Sequence, residues 1–395
     1  MKRVIVLALV AAVSAVLAAT AVARPTAATG TDAQQAVSCK STLKIALVTP
    51  LTGGAGFLGN AQLSWAKFAV KTLQKRYGLK IRLVTGDTPV EQGPAPAQSL
   101  AQKYVADRSV VAVIGPATSG AVAASSQTYF QAGLAHISPS ATRTSLTKGS
   151  TREATAAFFR VVPDDGIQGP ADGRFMVEKL KVTKVVIIDF QEPYSVGLAD
   201  AAQTYLKSKN VTVIRESTSV KTTDFSSLVT KVPSDANIVF FPTQQPEDAQ
   251  TFAQQLLEQG KRAKVFGGDG SNSPAKFKVA GSYVSNFAAP INLFPYNKPL
   301  IAAWKRDNPK GELESFGPPT YGAVQVAMNA IKRACNVGKG QIKDRRDVVR
   351  NVKRIVVKNW ILGGDFRFST RTNDPLNGRF YIFEIQANGS YKLVG

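Results

Sequence analysis

Val110-Val111-Ala112-Val113-Ile114-Gly115-Pro116-Ala117-Thr118-Ser119-Gly120 is the stretch on which the fold turns. Its first five residues are all apolar and leave no polar face. They predict a strand covered on both sides, as strands are in a parallel sheet flanked by helices. Gly115 and Pro116 stop that strand, and Ser119 stands where the next helix is expected to begin. A strand, a tight turn and a helix start in eleven residues make one βα unit of an α/β fold.

The same unit recurs on either side. Upstream, Lys44-Ile45-Ala46-Leu47-Val48 and Ile81-Arg82-Leu83-Val84 read as strands, with helices predicted over Ala61 to Gln74 and Pro94 to Tyr104. Downstream a second series begins at Val185-Val186-Ile187-Ile188. It continues with Val211 to Ile214, Ile238 to Phe241 and Lys264 to Phe266, and a further strand is expected over Ser285 to Ala288. Between the two series, Arg160-Val161-Val162-Pro163-Asp164-Asp165-Gly166 is rich in turn formers and reads as a crossover. The helical segment Pro299 to Arg354, with breaks expected at Gly317-Pro318-Pro319 and Val337 to Gly340, cannot extend the second sheet and is expected to return to the first. A strand at Phe380 to Ile385 would then cross once more. The expectation is two Rossmann-like lobes with parallel-type central sheets, joined by a three-segment hinge. Lobe 1 takes 41–162 and 291–378, and lobe 2 takes 163–290 and 379–395.

The amino-terminal end reads differently. Met1-Lys2-Arg3, an apolar run from Val4 to Ala18 and the small residues Ala21-Val22-Ala23 have the three parts of a secretory signal peptide, assigned to 1–23. The polar stretch 24–40 is expected to be a flexible leader. The run is short for a membrane span, and no later segment offers about 20 consecutive apolar residues. Export makes a disulfide between the two cysteines, Cys39 and Cys335, possible, with two unrelated thiols as the alternative.

The formal charge of +22 raises nucleic-acid binding as a class. The basic residues are scattered, however, the densest run (Lys343 to Arg354) contains Asp344 and Asp347, and no aromatics are interleaved for base stacking. A solvated basic surface is expected instead, with weak attraction to an anionic envelope. The catalytic inventory is poor. There is one histidine, His136, in an apolar stretch that suits packing, and there is no G-x-S-x-G, paired metal-ligand spacing or Walker loop. Gly54-Ala55-Gly56-Phe57-Leu58-Gly59 matches G-x-G-x-x-G, but Pro50 to Gly53 lengthen the turn before it and the acidic partner is poorly placed. A loop lining a cleft is the preferred reading. No cofactor and no metal are expected.

Ligands in such folds bind beyond the carboxyl ends of the strands, so the strand-end loops carry the candidate site. Ser119 at a helix start combines backbone N–H groups with a hydroxyl, which suits a carboxylate. Ile137-Ser138-Pro139-Ser140-Ala141-Thr142 places a second polar cluster on the same rim. In the second series, Tyr194 and Asp269 follow strands, and Asp269 would supply the negative group that an ammonium needs. A donor-rich wall opposite an acid recognises a zwitterion.

These residues resemble the branched-chain amino acid binding protein family, the type I periplasmic binding proteins that serve ABC importers. The similarity runs from Lys44 to Gly389. It is most specific at Gly115 to Ser119 through Ile137 to Thr142, Tyr194-Ser195-Val196-Gly197-Leu198-Ala199, Thr223-Asp224-Phe225-Ser226-Ser227-Leu228 and Pro319-Thr320-Tyr321-Gly322-Ala323. The resemblance implies a ligand α-carboxylate on Ser119 and Thr142, and an α-ammonium on the Ser140 carbonyl, the Thr142 hydroxyl and Asp269. It implies Tyr194 closing over the ligand, with Ala141 beside it in the loop of Ser140 and Thr142. Leu58 and Gln244 stand where branched-chain binders carry aromatics, and Phe316 retains one. The implied protein is a monomer, peripheral to the membrane, whose partners are a small-molecule ligand and an ABC transporter permease. A sensor feeding a receptor, and an amidase or hydrolase using cleft acids, are the rival readings.

Overall fold

The computed structural model describes residues 39–149, 154–313 and 315–395. The signal peptide and nearly all of the leader read from the sequence lie outside them.

The chain first lays down β1 (Leu43–Thr49), α1 (Gly56–Tyr77), β2 (Ile81–Asp87), α2 (Ala95–Ala106), β3 (Val110–Ile114), α3 (Ser119–Gln131), β4 (Ala135–Ser138) and β5 (Phe158–Arg160). These strands form a five-stranded parallel sheet in the order β2-β1-β3-β4-β5. All five residues of β3 are buried, which is what an unbroken apolar run requires when helices cover both faces.

A second set follows: α4 (Asp165–Glu178), β6 (Lys184–Asp189), α5 (Pro193–Ser208), β7 (Thr212–Ser217), α6 (Ser226–Thr230), β8 (Ile238–Phe240), α7 (Pro246–Glu258), β9 (Lys264–Gly267) and β10 (Tyr283–Asn286). Its strands repeat the first order, β7-β6-β8-β9-β10. The chain then returns through α8 (Lys298–Asp307), α9 (Gly317–Val337) and α10 (Arg345–Val352), and a short hairpin joins β11 (Val356–Val357) to β12 (Phe366–Arg367). Trp304, Val324, Ala327, Ile331 and Val348 from these helices share one core with Ile45, Leu47 and Ile114 of the first sheet. Finally β13 (Tyr381–Ile385) and β14 (Tyr391–Leu393) add to the second sheet, β13 antiparallel to β10 and β14 antiparallel to β13. The expected parallel-type sheet is therefore mixed at one edge, because β13 arrives by a crossover from the other lobe rather than through a βα unit.

Several local readings shift. Gly56, Phe57, Leu58 and Gly59 are the first turn of α1 rather than a loop. Gly317-Pro318-Pro319 opens α9 instead of breaking a helix, since proline in the first turn lacks only an N–H that has no intrahelical acceptor. The strand expected over Ser285 to Ala288 lies at Tyr283–Asn286, and Phe287 and Ala288 join Leu58, Ala117, Val162, Phe316 and Phe380 in an apolar cluster where the crossing segments meet.

The last two residues of the segment read as flexible are held: Cys39 is buried and disulfide-bonded to Cys335 at the end of α9, and Lys40 N–H donates to Gly340 O at 2.9 Å. His136 is buried between Tyr129 and Phe158, its Nε2 2.9 Å from Ser126 Oγ, and burial pushes its pKa down to about 3. It is a packed neutral residue.

Candidate functional site

In both sheets the first strand sends its successor to one side and the third strand to the other. The loops at the carboxyl ends therefore part there and leave a crevice. The two crevices face each other, and the lobes meet across them: Ser315 Oγ donates to Asn272 Oδ1 at 2.8 Å, and Asp165 N–H donates to Thr142 O at 2.8 Å. A cavity of about 340 Å3 is bounded by Thr88, Val90, Ala121 and Ala124 on one side and Glu192 and Gln244 on the other.

The first-lobe wall is built from two short loops that brace each other. Gly115 leaves β3 at φ 105°, and a Cβ there would stand 2.3 Å from Val48 O, so only glycine fits. Thr118 then caps α3, its Oγ1 accepting from Ala121 N–H at 3.4 Å, and Ser119 is the first helical residue, 1 % exposed. In the loop after β4, Ser138 Oγ donates to Pro116 O at 2.7 Å and accepts from Ala141 N–H at 2.9 Å. Ser140 Oγ donates to Ala117 O at 2.7 Å and accepts from Gln62 Nε2 at 2.9 Å. Ser119 Oγ accepts from Arg143 N–H at 3.2 Å.

From behind, the fully buried Arg160 holds the same loop. Its Nη1 donates to Ala141 O at 3.2 Å and to Arg143 O at 2.8 Å, while Nε donates to Asp374 Oδ1 at 2.6 Å. A guanidinium fork that ties down the carbonyls on both sides of Thr142 fixes that residue's backbone. The Thr142 hydroxyl is fully buried and has no hydrogen-bond partner among the described residues.

The opposite wall is acidic. Tyr194 Oη donates to Asp269 Oδ1 at 2.9 Å and accepts from Gly270 N–H at 3.0 Å. Glu192 caps α5, its two oxygens accepting from Tyr194 N–H at 2.8 Å and Ser195 N–H at 2.7 Å, which sets where the tyrosine ring emerges. Burial pushes the Asp269 pKa up to about 6, and it raises Tyr194 well above the usual phenol range, with the Asp269 charge adding to it.

Sequence reasoning gave too little weight to α4, which carries three further groups. Asp165 is 1 % exposed, and neither of its oxygens is within hydrogen-bond geometry of a donor among the described residues. Its pKa is raised well above the carboxylate range, by burial first and by the Asp269 charge second, although the Thr142 hydroxyl stands close enough to hold it down in part. Asp172, raised by burial, accepts from Ser285 Oγ at 3.0 Å, and the same hydroxyl accepts from Gln168 Nε2 at 2.9 Å. The spacing 165, 168, 172 puts all three on one helical face, a signal present in the sequence. In the sequence Asp165 reads only as part of the turn-rich crossover Arg160 to Gly166.

Ser119, Ser140, Ala141 and Thr142 thus lie together in the first-lobe loops, and Tyr194 and Asp269 in the second-lobe loops, next to but not lining the 340 Å3 cavity, which of the expected site residues only Gln244 borders. Leu58 and Phe316 are 2 % and 1 % exposed in the apolar cluster at the crossings. Gln244 borders the cavity, with its Nε2 unpartnered. The arrangement can surround a small polar ligand with hydroxyl and amide donors on one side and carboxylates on the other. No group of His, Cys, Asp and Glu suited to a metal ion occurs among the described residues.

Comparison with known proteins defines the class. Residues 42–390 match the model of the periplasmic binding protein family, and the chain belongs to that family, whose members bind solutes. The resemblance to branched-chain amino acid binding proteins is borne out. The chain is 29% identical over 356 residues to Leu/Ile/Val-binding protein homolog 1 of Brucella abortus, covering 87% of this chain and 91% of that one. Among solved structures, the leucine binding protein LivK of Thermotoga maritima superposes with a TM-score of 0.79 at 21% identity, covering 89% of this chain and 98% of that one. An ABC transporter solute binding protein of R. palustris in complex with benzoate gives 0.78 at 17% identity, covering 90% and 96%. At such identities the structural likeness concerns the fold, the type I periplasmic binding protein architecture.

Proposed function

We propose that this protein is an exported solute-binding component that captures a small zwitterion, an amino acid or close derivative, between its lobes and delivers it to an ABC importer. The observation that carries this reading is the pairing of Tyr194 with the buried Asp269, across from the unpartnered Thr142 hydroxyl and beside the unpartnered Asp165. A ligand carboxylate sits against the α3 start at Ser119 and the Thr142 hydroxyl, and its ammonium lies between the Ser140 carbonyl, Thr142, Asp165 and Asp269. Tyr194 closes over it. Two buried carboxyls near one another are costly without a cation, and an ammonium supplies one.

The moving bodies are 41–162 with 291–378 and 163–290 with 379–395, hinged at three crossings. Ligand binding selects the closed arrangement, which a permease can distinguish from the open one by shape. Gln244 gives the side-chain region a polar wall, so a ligand with a hydrogen-bond acceptor in its side chain suits it better than leucine, isoleucine or valine. The benzoate-bound neighbour accords with a fold that accepts different carboxylates.

Titration calorimetry with ligands drawn from a thermal-shift screen of amino acids and their amides tests the reading. Asp269→Ala is expected to abolish or severely weaken binding, since hydrogen bonds to charged groups contribute about 1.5–3 kcal/mol each. Unchanged affinity in that variant removes the ammonium role, and turnover of an amide to its acid favours the hydrolase alternative.

A further inference from the structure

A second polar recess lies at the opposite pole of the first lobe. A groove of about 560 Å3 runs past the amino-terminal ends of β1 and β3, bordered by Lys40, Thr42, Arg108, Ser109, Lys343 and Arg345. The cleft loops leave the carboxyl ends of the same strands, so the groove and the cleft do not share residues.

Its charge is mostly positive, with Asp344 the one acid on its border. Lys40, Arg108 and Lys343 are exposed, and none of their side chains has a hydrogen-bond or ion-pair partner among the described residues. Arg345 forms the floor, 6 % exposed, with Nη1 donating to Val105 O at 2.9 Å and Nη2 to Asp107 O, while its Nε is buried without a partner. The acids close by are committed elsewhere. Asp107 accepts from Lys44 Nζ at 2.8 Å and Ser109 Oγ at 2.5 Å. Asp344 caps α10 through Arg346 N–H at 2.9 Å and faces the Arg346 guanidinium at 3.7 Å. Burial lowers the Arg345 pKa and the Arg108 charge lowers it further, with the Asp107 carboxylate opposing both in part.

We infer that this groove is a binding site for a polyvalent phosphate-type oxyanion. Three exposed cations around one recess, the Arg108 guanidinium among them, over the buried positive charge of Arg345, match the charge of several phosphoryl oxygens better than that of a single carboxylate. The site would also give a role to part of the chain's large positive charge. Its chemistry is shared by inorganic phosphate chains and by phospholipid headgroups. Because the groove is remote from the cleft, occupancy leaves solute capture free.

The test uses tripolyphosphate as the probe, by calorimetry at low and at physiological salt, on the full chain and on Arg108→Glu/Lys343→Glu. Both positions are exposed, so folding should survive, and the thermal midpoint and the cleft ligand's affinity are read alongside. Binding to the wild type that weakens with salt and falls at least tenfold in the double variant, but not in the charge-matched control Lys207→Glu/Lys209→Glu on the second lobe, supports the site. Equal loss in the control, or no effect of the double variant, overturns it, as does a wild type that fails to bind. Co-sedimentation with phosphatidylglycerol vesicles, against phosphatidylcholine vesicles, separates the sources. Pelleting that depends on Arg108 and Lys343 identifies a headgroup, and tripolyphosphate binding without pelleting identifies a soluble phosphate chain.

Discussion

The two walls of the cleft solve opposite problems. On the first lobe, Ser119, Ser138 and Ser140 each already have a hydrogen-bond partner, and Arg160 clamps the backbone beneath them, so that wall is rigid before any ligand arrives. On the α4 and second-lobe side, Asp165, Asp172 and Asp269 are buried with raised pKa values, and one oxygen of Asp172 and both of Asp165 lack partners. Apart from the Thr142 hydroxyl, the first wall is satisfied in the empty protein, and the other is not. The unsatisfied wall is where binding energy is available, and it should be the wall on which the empty protein is least stable.

That contrast can be broken most directly at Asp269. Exchanging it for asparagine keeps the shape and removes the charge. We expect affinity for a zwitterion to fall about thirty- to hundredfold, equivalent to roughly 2–3 kcal/mol, measured by calorimetry. Asp165→Asn should weaken binding less and raise the melting temperature of the empty protein, because an unpartnered carboxyl no longer has to be desolvated. A lower melting temperature would show that Asp165 is already stabilised by contacts within the protein.

Protonation sharpens the same contrast. Asp269 titrates near 6 in the folded chain, above its ordinary value, so between about pH 4 and 6 the folded state holds more protons than the unfolded one. Stability of the empty protein should therefore increase as pH falls through this window and be lost as pH rises through 6. Ligand affinity should move the other way, weakening by up to about tenfold per unit below pH 6, because a neutral carboxyl no longer attracts an ammonium. Parallel melting and calorimetric profiles from pH 7.5 to 4.5 read both slopes.

Tyr194→Phe removes the hydroxyl held between Asp269 and Gly270. A loss of about tenfold in affinity is expected, with little change in fold stability. The smallest effect should come from the satisfied wall. Ser140→Ala orphans Gln62 Nε2 and costs about 1 kcal/mol of stability by denaturant titration, but changes affinity no more than about threefold, since the hydroxyl points back into its own lobe.

The strands were legible because parallel strands covered on both faces need continuous apolar runs, and β1, β3, β6 and β8 have them. The start of α3 and the rim residues 138–142 were legible because turn chemistry is local. Helix α4 was not. Asp-Gly-Ile-Gln-Gly-Pro-Ala-Asp-Gly has the composition of a loop, and its helical state depends on packing that one segment cannot reveal. A Cβ on Gly169 would stand 2.5 Å from Ala201 Cβ, and one on Gly173 would stand 2.6 Å from the Tyr205 ring. The glycines that weaken α4 as an isolated helix are what let α5 lie against it. Missing the helix also hid its face of Asp165, Gln168 and Asp172, and with it half of the acidic wall. The second sheet's antiparallel edge was equally invisible, since β13 finds β10 only after 94 residues of chain have passed through the other lobe.

The bridge between Cys39 and Cys335 lies wholly within the first lobe, at the foot of β1 and the tail of α9. A pull applied at residue 39 is therefore transmitted into that lobe's core and bypasses the hinge. In the closure proposed above, the first lobe is then the braced jaw, and force on residue 39 does not load the crossings to the second.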